Sequence, residues 1–307
     1  MSLQSTGDVC VVFIHNHRFD ENTGRLEQLY AARFPDHFHL VPFYAGSQPN
    51  VIPVYESSLC FQGFVAQAER ILLQREFGHY VFVADDLVIN PNLNSGNIIR
   101  ELGLETDAGY IKRVHSYNFA WQHAVPSMVA LASHGIDWAK EVPTFEEAAA
   151  ALGAKGYPLD RIAWKHFAHG INLKHLAQLI YYFVQRNRQK RKTPGLDWRG
   201  FPYPMVCGYS DFFVVPGCAM RKFSAWNGAF AAAGLFAELS IPTTLLLACS
   251  RVRFEADTTW RGREIWGEEI SSFEQENRLE LEALLRSFPP RQLYVHPVKL
   301  TRWQLNI

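Results

Sequence analysis

The chain has 307 residues, 48% hydrophobic and 14% aromatic, enough to bury a sizeable core in one large α/β domain or two small ones. Thirty basic residues balance thirty acidic ones, so no global positive field argues for a nucleic-acid partner. The five cysteines (Cys10, Cys60, Cys207, Cys218, Cys249) are widely spaced and form no Cys-x-x-Cys, which argues against a disulfide framework or a structural zinc site. With no basic-then-apolar leader and no apolar run of membrane length, the sequence predicts a soluble cytoplasmic protein.

Val9 to Ile14 reads as a buried strand, followed by His15-Asn16-His17-Arg18. The loop after the first strand of a doubly wound sheet faces the ligand crevice, which places His15, Asn16 and Arg18 against a bound nucleotide. The His15-x-His17 pair lacks further ligands and reads as polar loop. No glycine-rich loop follows this strand, which argues against dinucleotide enzymes and sugar nucleotidyltransferases. Asn22 to Phe34 has helical spacing, with Leu26, Leu29, Tyr30 and Phe34 on one face. His39 to Tyr44 reads as the second strand and Ala45 to Pro53 as a Gly/Ser/Pro/Asn loop. Ser57 or Ser58 caps a helix running to about Phe77, which Gly78 ends.

Tyr80 to Val83 then has the composition of a strand buried on both faces, and it ends in Asp85-Asp86. Two adjacent carboxylates there repel each other and lose hydration. They are tolerable where the strand end opens into a crevice, and most useful if a hard divalent cation sits between them. Otherwise the pair caps the following turn. The order up to this point is β-α-β-α-β, with the acids at the third strand.

An apolar strand ending in acid-acid resembles the metal-binding signature of nucleotide-sugar glycosyltransferases with the GT-A fold, in which the pattern is Asp-x-Asp or Glu-Asp-Asp. Here the triplet is Ala84-Asp85-Asp86, so the first acid is missing. The resemblance implies Asp86 as the direct ligand of Mn2+ or Mg2+, with Asp85 beside the donor ribose or the metal waters. It implies a GT-A-like, Rossmann-type mixed central sheet flanked by helices, with a helical insertion.

Further along, Tyr110 to Tyr117 reads as a strand, and from there to about Pro204 the pattern is helical: Met128 to Ser133, Thr144 to Leu152, and Leu159 to about Arg191. His166, His169 and His175 lack a His-Glu-x-x-His arrangement, which argues against a zinc hydrolase. The last of these helices ends in an apolar-aromatic stretch and five cations (Arg186, Arg188, Lys190, Arg191, Lys192). Those complement the helix dipole, or they rest on an anionic membrane surface, as suits an enzyme with a lipid-linked acceptor.

Met205 to Pro216 reads as a strand broken by Asp211, an expensive place for an unpaired charge. Phe223 to Glu238 reads as a small-residue helix, Arg251 to Gly267 as a mobile or binding loop, and Ser272 to Phe288 as an acidic amphipathic helix. This order resembles the second half of a GT-A catalytic domain. On that match Asp211 holds donor or acceptor hydroxyls and Glu238 takes the place of the acid that binds and deprotonates the acceptor hydroxyl. His296 and Lys299 match the C-terminal histidine that completes the metal shell and the cation that neutralises the leaving diphosphate. The expectation is one catalytic domain over 1–307, with a nucleotide-binding half at 1–118, the helical insertion at 119–204 and an acceptor and metal-completing half at 205–307. Its activity would be transfer of a sugar from a nucleotide-diphosphate sugar to a carbohydrate or lipid-linked glycan, as in polysaccharide biosynthesis. Two other functions stay open: a catalytically silent GT-A-like sugar- or nucleotide-binding domain, which Ala84 favours, and a metal-dependent phosphohydrolase using Asp85 and Asp86.

Overall fold

A strand with no polar residue can have no wet face. β1 (Val9–Ile14) has none and β4 (His79–Ala84) only His79 at its start, and both are buried along their whole length. In the computed structural model, which describes residues 8–16, 20–116, 126–127, 129–130, 141–158, 173–192 and 203–305, they lie parallel and adjacent in a seven-stranded sheet. On one side come β2 (His37–Pro42) and β3 (Val51–Val54). On the other come β9 (Phe212–Pro216), β6 (Ala108–Ile111) and β10 (Arg251–Phe254). Every pairing is parallel except those of β9, which is antiparallel to both β4 and β6.

Alternate residues of the central strands feed two cores. Val9, Val11 and Phe13 pack with α1 (Asp20–Tyr30), α8 (Glu268–Glu276) and α9 (Leu281–Arg286). Cys10, Val12 and Ile14 pack with α2 (Gln62–Leu72), α6 (Gly217–Ala232) and α7 (Ala237–Ala248). A helix layer therefore covers each face. The chain runs outward from β1 through β2 and β3, then returns to β4 on the other side of β1. That reversal makes the carboxyl ends of β1 and β4 the switch point, where open α/β sheets hold their ligands.

A second, three-stranded sheet joins β11 (Arg261–Glu264), β12 (Gln292–His296) and β5 (Val88–Ile89), so the C-terminal strand pairs with the segment directly after Asp85-Asp86. The short strands β7 (His115–Ser116) and β8 (Val206–Cys207) pair with each other. Of the helical insertion, α4 (Phe145–Ala154) and α5 (Leu173–Lys192) are described. α4 starts at a reciprocal cap, in which Thr144 Oγ1 accepts from Glu147 N at 3.2 Å and Glu147 Oε2 accepts from Thr144 N at 2.9 Å. His166 and His169, most of the expected Met128–Ser133 helix and the side chain of His175 lie outside the described residues.

The structure corrects four expected elements. Val51–Val54, expected as loop, is the edge strand β3, where Pro53 costs no inner ladder bond. The expected Phe223–Glu238 helix is broken at Gly234, whose φ of +71° suits glycine, and Glu238 lies in the first turn of the next helix. Arg251 to Gly267 contains the strands β10 and β11. The Ser272–Phe288 helix is split by Arg278 and Leu279, both at φ +55°.

Candidate functional site

Three separate stretches of chain carry acids to the switch point. Asp85 and Asp86 leave the end of β4. Asp211 enters β9, which runs the other way beside β4, so it arrives at the same end, with its carbonyl accepting from Ala84 N at 2.8 Å. Glu238 is held from α7 by a backbone substitution. Pro242 has no N–H to give the Glu238 carbonyl, which accepts instead from Gly208 N at 3.0 Å.

The tail closes the site. β12 pairs with β5 and ends at His296, and Val298 N then donates to the Asp86 carbonyl at 2.6 Å. Arg25 of α1 clamps the next turn of the tail, donating from Nη1 to Leu300 O at 2.6 Å and to Trp303 O at 2.8 Å. The resulting open cleft of about 270 Å³ is lined by Asn16, Asn22, Phe61, Asp85, Asp86, Asp211, Phe236, Glu238 and Lys299, among others.

The two neighbouring aspartates are treated differently. Asp85 accepts from Asn22 Nδ2 at 2.7 Å and from Asn16 N at 3.3 Å, neither of them a full charge. Burial and then the charge of Asp86 push it up to about 7. Burial works to raise Asp86 as well, but His296 and Lys299 hold it down to about 2. Lys299 Nζ donates to Asp86 Oδ2. Asp86 Oδ1 is buried and forms an ion pair with His296 Nε2 at 3.0 Å, off the line of a well-aligned hydrogen bond. The same imidazole nitrogen is 3.8 Å from Asp211 Oδ2. Burial lowers the His296 pKa, and its pairing with Asp86, together with the charges of Asp86 and Asp211, more than reverses that. Burial raises Asp211, and the charge of Asp86 adds to it against the pull of His296. Glu238 is pushed up to about 7 by burial first and the Asp211 charge second.

The Asp86 carboxylate and the His296 imidazole, with Asp211 Oδ2 3.8 Å from the same nitrogen, would present neighbouring donors to a divalent cation. The donor set, one carboxylate and one imidazole with Asp211 nearby, suits Mn2+.

Of the residues singled out from sequence, Asn16, Asp85, Asp86, Asp211, Glu238 and Lys299 line one cleft, and His296 touches two of them. His15 does not line it. Its ring is fully buried, with Nε2 3.2 Å from His39 Nδ1 and Nδ1 3.8 Å from Asp85 Oδ2. Arg18 lies outside the described residues. Sequence reasoning passed over Asn22, Phe61 as a cleft residue, and Phe236. Asn22 did leave a signal: it sits four residues before Leu26, a polar residue on the core face of its helix.

No protein-family model matches the sequence, and no curated protein matches it. Among solved structures, the chain is similar to the bifunctional glycosyltransferase WbbM in its apo form, with a TM-score of 0.41 and 11% identity over 96% of this chain. It spans 46% of that protein, less than half its length. A likeness this loose does not place the chain in a family.

Proposed function

We propose that this chain is a GT-A-like, metal-assisted glycosyltransferase that moves a sugar from a nucleotide-diphosphate sugar to a carbohydrate or lipid-linked acceptor. One observation carries the proposal: acids from three separate stretches, a lysine and a histidine meet at the sheet's switch point, with Asp86 and His296 side by side as a carboxylate and imidazole donor pair. Burial and mutual repulsion raise Asp85, Asp211 and Glu238, and a cation entering with the diphosphate would offset the charge of the acids around it.

In this mechanism Asp86 and His296 would hold Mn2+ or Mg2+, which would supply positive charge to the leaving diphosphate. Lys299, half-exposed at the cleft, adds its own charge to the same oxygens. Asp85, with Asn16 and Asn22, orients the donor's ribose or the metal waters. Asp211 holds sugar hydroxyls. Glu238 accepts the acceptor hydroxyl's proton if the reaction inverts, and a pKa near 7 suits a base working near neutrality. In this scheme 1–118 binds the nucleotide, 119–204 builds the acceptor side, and 205–307 completes the metal and acceptor sites. The exposed Leu173, Leu176, Ile180 and Val184 of α5 run towards Arg188 and Arg191, and would bring the enzyme to a lipid-linked acceptor at an anionic membrane. Among the described residues no helix is long and apolar enough to cross one. Failure to co-sediment with anionic vesicles would remove that contact.

The deciding experiment is a melting-temperature panel of nucleoside diphosphates and nucleotide sugars, each with and without Mn2+, because a ligand of the native state raises its apparent stability. A metal-dependent shift, lost in Asp86→Ala and His296→Ala, is expected. No shift with any nucleotide sinks the proposal. Ala84, apolar where the family pattern has an acid, favours a second function as a silent binding domain, which would give the shift without turnover. Hydrolysis of phosphate esters regardless of any sugar would mark a phosphohydrolase instead.

A further inference from the structure

Away from the cleft, α1 and β2 bring together a second group of metal-binding side chains. His37 and His39 are alternate residues of β2, so both rings project from the same face of the sheet. Glu27 reaches them from α1. Its Oε1 lies 2.8 Å from His37 Nε2 and 3.2 Å from His39 Nε2. The three ligand atoms all lie within 4.8 Å of one another, and among the described residues no other trio of acids, histidines or cysteines does so.

Each ring is fixed from behind. His37 Nδ1 is 2.8 Å from the Phe34 carbonyl, which can only accept, so the ring proton sits on Nδ1. A neutral His37 then turns its Nε2 lone pair towards the Glu27 carboxylate. His39 is fully buried, with Nδ1 3.2 Å from His15 Nε2. The crowding continues on Glu27 Oε1, which Asn50 Nδ2 approaches to 2.5 Å and Gln48 Nε2 to 3.3 Å. Four nitrogens thus converge on one oxygen, two of them imidazole nitrogens held in place by outer partners. A lone pair facing a carboxylate at 2.8 Å is stable only with a cation between them, either a proton or a metal ion.

We propose that Glu27, His37 and His39 bind a divalent transition-metal ion, zinc foremost, at a site separate from the cleft. Two imidazoles and a carboxylate are a zinc donor set. Tetrahedral zinc with bonds of about 2.0–2.1 Å holds its ligands about 3.3 Å apart; the two Glu27 distances, 2.8 and 3.2 Å, fall up to about half an ångström short of that, and the two imidazole nitrogens lie within 4.8 Å of each other. Every ligand has the outer partner that metal ligands use to fix their orientation: the Phe34 carbonyl for His37, His15 for His39, Asn50 for Glu27. Glu27 is partly exposed, which leaves an entry path and room for a water as fourth ligand. The absence of cysteine pairs, which argues against a thiolate zinc site, does not bear on this donor set.

The site also reaches the cleft. Metal on His39 Nε2 leaves the proton on Nδ1, which donates to His15 Nε2, and His15 then turns an Nδ1–H towards Asp85 Oδ2, 3.8 Å away. The ion would pin α1 to β2 and set the tautomer of the histidine beneath the acid pair. None of this depends on what the cleft does.

The test is a zinc titration of the whole chain after chelation, against a chromophoric chelator as competitor, with melting curves alongside. The wild type is expected to take one zinc at this site, beside any held by Asp86 and His296, with a rise in melting temperature. Its Kd should weaken by about 100-fold or more in His37→Ala and in Glu27→Gln. The double variant Asp86→Asn, His296→Gln should keep the zinc, which separates this site from the cleft. Should a variant fail to fold, Co2+ in the wild type gives the answer alone, as a tetrahedral visible spectrum that zinc erases. No zinc uptake by the wild type, or equal uptake by folded Glu27→Gln, overturns the proposal and leaves a protonated imidazole–carboxylate cluster.

Discussion

Two cavities among the described residues handle charge in opposite ways. The one beside β6 and β10 is lined by Glu105, Lys155, Arg251 and Arg253. There Arg251 pairs with Glu105 and with Asp107, while Lys155 donates to the Cys249 and Ser250 carbonyls. Opposite charges meet at the surface and little is strained. In the cleft at the ends of β1 and β4, acids sit beside acids, buried, and their pKa values are driven apart. Both are concave and lined by charged side chains. What separates them is unresolved electrostatic conflict, which a fold retains at a site where a ligand resolves it.

The sharpest way to break this contrast is Asp86→Ala. If Asp86 holds a cation opposite a leaving diphosphate, its loss should cost about 10³-fold in kcat/KM for sugar transfer and remove the Mn2+ dependence. Full activity in that variant would return the aspartate pair to a turn-capping role. Next comes Glu238→Gln. If Glu238 is the base, its pKa near 7 should impose a limb on the pH–rate profile, with the rate rising as pH increases through about 7. The variant should lose about 10²-fold in kcat and the limb with it. A profile that keeps the limb would assign the proton to another group.

The same residue should leave a mark on stability with the sign reversed. The folded-state pKa of Glu238, about 7, lies above its ordinary 4.5. As pH rises from 4.5 to 7 the unfolded chain loses this proton first, so folding stability falls across that window and stays lower above it. For a group still partly open to solvent the drop should be about 2 kcal/mol. Urea denaturation of wild type and Glu238→Gln at pH 5 and pH 8 reads it directly. The variant should gain on the wild type at pH 8 and not at pH 5. An equal difference at both would mean that burial does not control this carboxyl.

The contrast also explains what was legible in the sequence. Asp85-Asp86, Asp211, His296 and Lys299 stood out because charge at the end of an apolar strand is visible without coordinates. The strands that build the frame were visible where no residue is polar, as in β1 and β4. They were hidden where one face is wet: β10, Arg251-Val252-Arg253-Phe254, alternates with the period of an edge strand inside a stretch whose charges suggested a loop. Pro53 hid β3 because its tolerance depends on β3 being an edge, a fact of tertiary order. Glu238 was read at the end of one helix and stands at the start of another, since only the folded chain shows that Gly234 breaks the run. The Glu27, His37 and His39 cluster was illegible for a related reason. The expected second strand began at His39, and with His37 left outside it the two rings had no common face.

The matched cavity supplies the smallest and most discriminating effect. Arg251→Ala removes two ion pairs, yet the arginine is more than half exposed, and surface pairs are screened and entropically costly to hold. The loss should be no more than about 1 kcal/mol, and it should shrink further in high salt, because the Debye length falls from about 10 Å at 0.1 M to about 3 Å at 1 M. Activity should be unchanged, since no charge in that cavity needs a ligand to satisfy it. A larger, salt-insensitive loss, or a fall in transfer rate, would mean that the second cavity stores conflict after all. Electrostatic strain would then no longer separate the site from the rest of the surface.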